Sequence, residues 1–172
     1  MNDSTAAIDE IDKYVARFQD RQVDWGVLDF QTKVDPKYRR GQMRYVGGGG
    51  TGMHDDPTII KAGHFTLSTM IIPPGNEGPL HLHSDVEELF FVLEGQLTCI
   101  WSDGNRQVER MLGPRDLIWI PAGVWRGVRN DGDKLDSGWL RNQVSIAAQH
   151  APRVADLGVE RKLEELHRAG SR

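Results

Sequence analysis

Three side chains in this chain have the types and the spacing to do chemistry together. His81 and His83 lie two residues apart within the stretch 75–95, and Glu88 follows five residues after His83. On an extended strand, side chains at i and i+2 point to the same side, so both imidazoles face one way. Glu88 opens the strongly apolar run 89–93. Two imidazole nitrogens and a carboxylate oxygen can together bind a divalent transition metal. Donors of this softness suit Fe(II), Mn(II), Zn(II), Ni(II) or Cu(II).

The elements that must position these residues read as strands. Short segments rich in β-branched and apolar residues occur at 58–72, 80–83, 88–94, 96–101, 106–112, 116–120, 124–130 and 138–147. Ser102-Asp103-Gly104-Asn105 and Asn130-Asp131-Gly132-Asp133 have hairpin-loop composition. Many short strands with regular turns predict an all-β sandwich or barrel. Two further strand-like pieces, 25–30 and 42–46, flank the basic, proline-containing stretch 34–40. Helical periodicity is confined to the ends. Ile8, Ile11, Val15 and Phe18 predict a helix over 5–19, and Leu157, Leu163 and Leu166 predict another over 156–169. Gly47 to Gly52 contains a literal G-x-G-x-x-G. No helical pattern follows it and no βαβ unit surrounds it, so a dinucleotide site is rejected. It reads as a surface loop, with a lid over a barrel mouth as the functional alternative.

The same stretch resembles a known family. Gly75, His81, His83, Glu88 and Gly95 fit the first motif of the cupin superfamily, G-x5-H-x-H-x4-E-x6-G, at every spacing. The last spacing favours Glu88 over its neighbour Glu87. Residues 115–130 line up with the second motif, G-x5-P-x-G-x2-H-x3-N: Pro121, Gly123 and Asn130 match. Arg115 stands in the place of a glycine, with Gly113 nearby as a candidate for the turn. Arg126 stands in the place of the family's remaining metal-binding histidine. The resemblance implies a double-stranded β-helix, or jelly-roll barrel, with a short helix at each terminus. The implied division is an N-terminal helix and arm with the glycine-rich loop (1–57), a β-barrel (58–147) and a C-terminal helical extension (148–172). A homodimer is also implied.

In that family the ligands point into the barrel, which leaves three arrangements for Arg126. In the first, a metal sits on His81, His83 and Glu88, and Arg126 orients a substrate carboxylate or enolate with its two-pronged guanidinium. In the second, the guanidinium excludes the metal. At about 5 Å and an effective dielectric near 20, a dication repels it by roughly 6–7 kcal/mol, whereas Glu88 alone attracts it by about 3 kcal/mol. In the third, Arg126 snorkels to the barrel mouth. The expectation is the metal-bound form: Fe(II) first, with Mn(II), Zn(II), Ni(II) or Cu(II) as alternatives. Arg126 and Glu88 would be the catalytic residues, the substrate a small anionic or aromatic molecule, and the reaction of dioxygenase type. The alternative is a metal-free barrel that binds a small ligand or catalyses isomerase, epimerase or lyase chemistry.

Composition limits the field further. The net charge of −4, with both signs interspersed, leaves no footprint for nucleic acid or an anionic membrane. No apolar run approaches membrane-spanning length and no basic-then-apolar leader opens the chain, so a cytoplasmic protein is expected. Cys99, the single cysteine, lies in an apolar strand and reads as a buried, inert thiol. His64 reads as a structural or exposed histidine, with a replacement ligand for the site as the alternative. Arg44, Arg141 and Gln143 lie on strands but read as surface groups. Trp119, Trp125 and Trp139 read as packing groups.

Overall fold

Alternating apolar and polar residues make a strand with one wet face and one dry face, and such strands must close on each other to hide the dry faces. In a computed structural model, which describes residues 10–47, 57–62, 64–132 and 144–152, they do so as two antiparallel sheets. The strands are β1 (Gly41–Val46), β2 (Thr66–Ile72), β3 (Glu77–Leu82), β4 (Val86–Glu94), β5 (Leu97–Ser102), β6 (Gln107–Leu112), β7 (Leu117–Ile120), β8 (Trp125–Arg129) and β9 (Val144–Pro152). One sheet has the order β1-β2-β9-β4-β7 and the other β3-β8-β5-β6. The chain is an all-β jelly roll. Its core is Met70, Ile72, Phe90, Val92, Leu97, Cys99, Ile120 and Val128. Burying each such apolar side chain contributes about 1.5–3 kcal/mol, which offsets the cost of the polar groups described below.

The motif glycines have a backbone reason. Gly75 and Gly95 turn the chain at φ 67° and 77°, a left-handed region that a side chain disfavours. Arg115 adopts φ 73° in the β6–β7 turn, so the turn places its left-handed residue at Arg115 itself rather than at Gly113. The turn is held by Asp116, whose Oδ2 accepts from the Gly113 amide at 2.8 Å, and by the Arg115 amide donating to the Val92 carbonyl at 2.8 Å.

Two expected elements differ. Within 5–19, residues 10–19 hold two 3-10 turns, Ile11–Tyr14 and Phe18–Asp20, instead of an α-helix. Ile11, Tyr14 and Phe18 are all exposed, so no packed face stabilises a helix there, and short helices without packing are marginal in water. The segment 25–30 is not a strand. Asp24 Oδ1 accepts from the Gly26 and Val27 amides at 2.9 and 3.1 Å, a side-chain-made turn that leads into the single-turn helix α1 (Asp29–Thr32). The proposed helix at 156–169, and the lid at 47–52 apart from Gly47, lie outside the described residues.

Candidate functional site

Past an irregularity between Gly78 and His81, the chain alternates. Leu80 and Leu82 face outward, at 42% and 39% exposure, while His81 and the following His83 are half-buried on the other side. The two imidazoles meet edge-on, ring centres 5.1 Å apart. His81 Nδ1 lies 2.8 Å from the Pro79 carbonyl oxygen. A carbonyl can only accept, so the proton sits on Nδ1 and the Nε2 lone pair is left for a ligand. Burial holds the His81 pKa below its ordinary value. The Arg126 and Arg40 charges add to this, while the Pro79 hydrogen bond and the Glu88 charge oppose it.

Glu88 reaches the same place from the other sheet. It stands on the inner face of β4 with Phe90 and Val92, and only 5% of it is exposed. Glu87 is on the opposite face, where it accepts from Trp119 Nε1 at 3.4 Å. One donor atom from each of His81, His83 and Glu88 lies within 4.8 Å of the other two. Three side chains from two sheets thus form a group that could hold a metal ion.

Arg126 does not snorkel. It pairs with His81 across β3–β8 and is 2% exposed. Its Nε donates to Glu88 Oε2 at 2.6 Å and its Nη1 to the His81 carbonyl at 3.3 Å. Burial pushes its pKa down to about 10, so it remains charged near neutrality. The arrangement in which Arg126 turns to the mouth is therefore corrected: its guanidinium is inside, on the acid. The donor set still fits a metal. Two imidazole nitrogens and a carboxylate oxygen within 4.8 Å of one another are the donors a divalent transition ion takes.

Sequence reading missed Arg40. The stretch 34–40 reads as a basic separator, yet Arg40 is 4% exposed. Its charge is felt at His81, and it feels the charge of Glu88 in turn. No local pattern marks it, because it precedes β1 and is turned inward by the arm. The other candidates fall away from the centre. His64 is exposed and stacks on Phe65 at 5.0 Å, outside the ligand group. Arg44 pairs with Asp24 at 3.8 Å, beside a cleft of about 480 Å³ between the arm and β1. Trp119 and Trp125 are half-exposed on the outer faces. Cys99 is buried, and burial followed by the Glu88 charge pushes its thiol up to about 12. Trp139, Arg141 and Gln143 lie outside the described residues.

Residues 68–140 match the family model described as Cupin domain. The barrel is a cupin domain. A germin-like protein of Ipomoea nil is 33% identical over 69 residues, which are 40% of this chain and 32% of that protein. The chain thus spans about a third of the length of the curated relative it matches. Among solved structures, KdgF from Halomonas sp. superposes with a TM-score of 0.52 at 12% identity, covering 82% of this chain and 94% of that one. An oxalate oxidase gives a TM-score of 0.47 at 16% identity over 66% of this chain and 51% of that one. The cupin strands carry the His81, His83 and Glu88 group inside. Among the described residues, no helix is long and apolar enough to cross a membrane.

Proposed function

We propose that this cupin is a metal-dependent enzyme acting on a small anionic or aromatic molecule, with dioxygenase-type oxidation as its reaction. The observation that carries the reading is the convergence of His81, His83 and Glu88 to within 4.8 Å. Bound there, a divalent ion such as Fe(II) would supply Lewis acidity and one-electron chemistry toward O₂. The chain's own residues do the rest. The Pro79 carbonyl fixes the His81 tautomer, and Arg126 fixes the Glu88 carboxylate. Phe90, Val92 and Val128 keep water from the inner end. The reading includes a barrel over 58–147, flanked by 1–57 and 148–172, in a cytoplasmic homodimer.

The test is elemental analysis of protein purified without chelator, then reconstituted separately with Fe(II), Mn(II) and Zn(II). Near-unit metal per chain is expected, and none after reconstitution rejects the reading. A second reading has its own observation. The 2.6 Å contact between Arg126 and Glu88 already supplies the acid with a cation. In that form the barrel binds a small ligand, or does acid/base isomerase or lyase chemistry, without a metal. Absence of metal with retained small-ligand binding is the result that selects it.

A further inference from the structure

Arg40 is the buried charge for which nothing so far gives a use. Its Nη2 donates to Gln31 Oε1 on α1, and its Nη1 lies 3.6 Å from Met70 Sδ, a weak acceptor. Its Nε has no hydrogen-bond partner among the described residues. No carboxylate among the described residues stands at ion-pair distance from it. A buried cation without a counter-charge is costly, so the fold must gain something by holding it.

The position is built. At Gly78 on β3, a Cβ would stand 2.3 Å from Arg40 Nη1, so the missing side chain makes the space that the guanidinium fills. The arm is clasped beside that space. Asn76 Nδ2 donates to the Arg39 carbonyl at 2.7 Å, and Lys37 Nζ pairs with Glu77 Oε1 at 3.0 Å.

Charge counting then points to the occupant. Arg40 and Arg126 bring two buried positive charges against the one negative charge of buried Glu88. Each guanidinium also keeps a buried N–H without a partner among the described residues, on Arg40 Nε and Arg126 Nη2. In the metal-free barrel, an interior with excess positive charge and unused donors is completed by a monoanion with paired oxygens. A phosphate dianion would overshoot the balance, and a neutral molecule would leave it unmet.

We propose that Arg40, with Arg126, forms the anion-binding side of the barrel, and that a small organic carboxylate is held there. This rests on the barrel interior being the small-molecule site, as in both readings above. Loss of one charge-assisted hydrogen bond costs about 1.5–3 kcal/mol, roughly a tenfold or greater fall in affinity.

The test is calorimetric titration of the full chain, once after chelator treatment and once after Zn(II) loading. The probes are acetate and benzoate, with acetamide and benzamide as neutral matches and inorganic phosphate as the competing anion. At least one carboxylate should bind, and more tightly than the neutral matches or phosphate. Arg40→Met should weaken it by about tenfold or more, and Arg40→Lys, which keeps the charge but not the Nε–H, should weaken it less. If Arg40→Met does not fold, Gly78→Ala decides, because its Cβ must displace the guanidinium. Absence of carboxylate binding, equal amide binding, tighter phosphate binding, or unchanged affinity in the deciding variant would overturn the proposal. Metal content is read separately. Arg40-dependent binding in metal-free protein keeps this inference while the metal reading fails. Metal at unit stoichiometry with binding indifferent to Arg40 does the reverse.

Discussion

β8 carries two arginines three residues apart, one on each face, and they behave in opposite ways. Arg129 is on the outside. It holds Glu109 with two prongs, at 3.1 and 2.8 Å, and Asp131 through Nε. Its pKa is raised, first by Glu109 and then by Asp131. Arg126 is inside with a single acid, and its pKa is pushed down by burial. The side chain is the same and so is the partner type, but water is present in one case and missing in the other. In water, ion pairing adds to a charge that solvent already stabilises. In the barrel, pairing offsets only part of what desolvation removes. Having more partners thus does not make Arg129 the more important residue. A buried pair resists the loss of either member because the survivor is left charged and dry.

The largest test of this contrast is Arg126→Met. It removes the charged hydrogen bond that Glu88, which is 5% exposed, accepts from Arg126, and should cost about 3–5 kcal/mol of stability in urea unfolding. Adding Glu88→Leu to the same chain should recover most of that loss, since an apolar pair of similar volume is often neutral or better. A cycle in which the two substitutions simply add would break the comparison. It would mean that the two groups are not coupled through 2.6 Å of dry interior.

A smaller effect is expected on metal affinity. Arg126→His removes a fixed positive charge beside Glu88 and adds an imidazole to the His81 and His83 pair. Zn(II) affinity should rise by about ten- to a hundredfold, well below the roughly 6–7 kcal/mol of the bare Coulomb estimate, because arginine can shift and a histidine must be oriented. Turnover of the native substrate should fall. An unchanged Zn(II) affinity by competition titration would show that the guanidinium does not oppose the ion.

How much of this was legible in the residues differs by distance along the chain. The stretch bearing His81, His83 and Glu88 was legible because period-two alternation and fixed spacings are local, although β3 and β4 join different sheets. Alternation also gives the burial of Val128 beside Arg126. The ion pair itself was not legible. Glu88 and Arg126 lie 38 residues apart on different sheets, and only closure of the barrel brings them together. Arg40 was harder still, since its burial depends on a side chain that Gly78 lacks. The helix expected at 5–19 failed for the opposite reason. Its periodicity is real, but the described residues provide no surface to pack it, and Ile11 and Phe18 stay 62% and 74% exposed.

The smallest expected effect belongs to the residue with the most contacts. Arg129→Ala removes every prong to Glu109 and Asp131, yet both acids stay in water and need no partner. Its cost should be a small fraction of that of Arg126→Met. It should also shrink further as salt is raised from 0.05 to 0.5 M, about a threefold shortening of the screening length. The Arg126→Met cost should hardly change over the same range, because buried pairs are screened much less than exposed ones. The pair of salt series therefore separates the two arginines even if their absolute stabilities are measured poorly. A salt-insensitive Arg129 effect would place that network in a drier setting than its exposure implies. A salt-sensitive Arg126 effect would place water, and with it counter-ions, at Glu88.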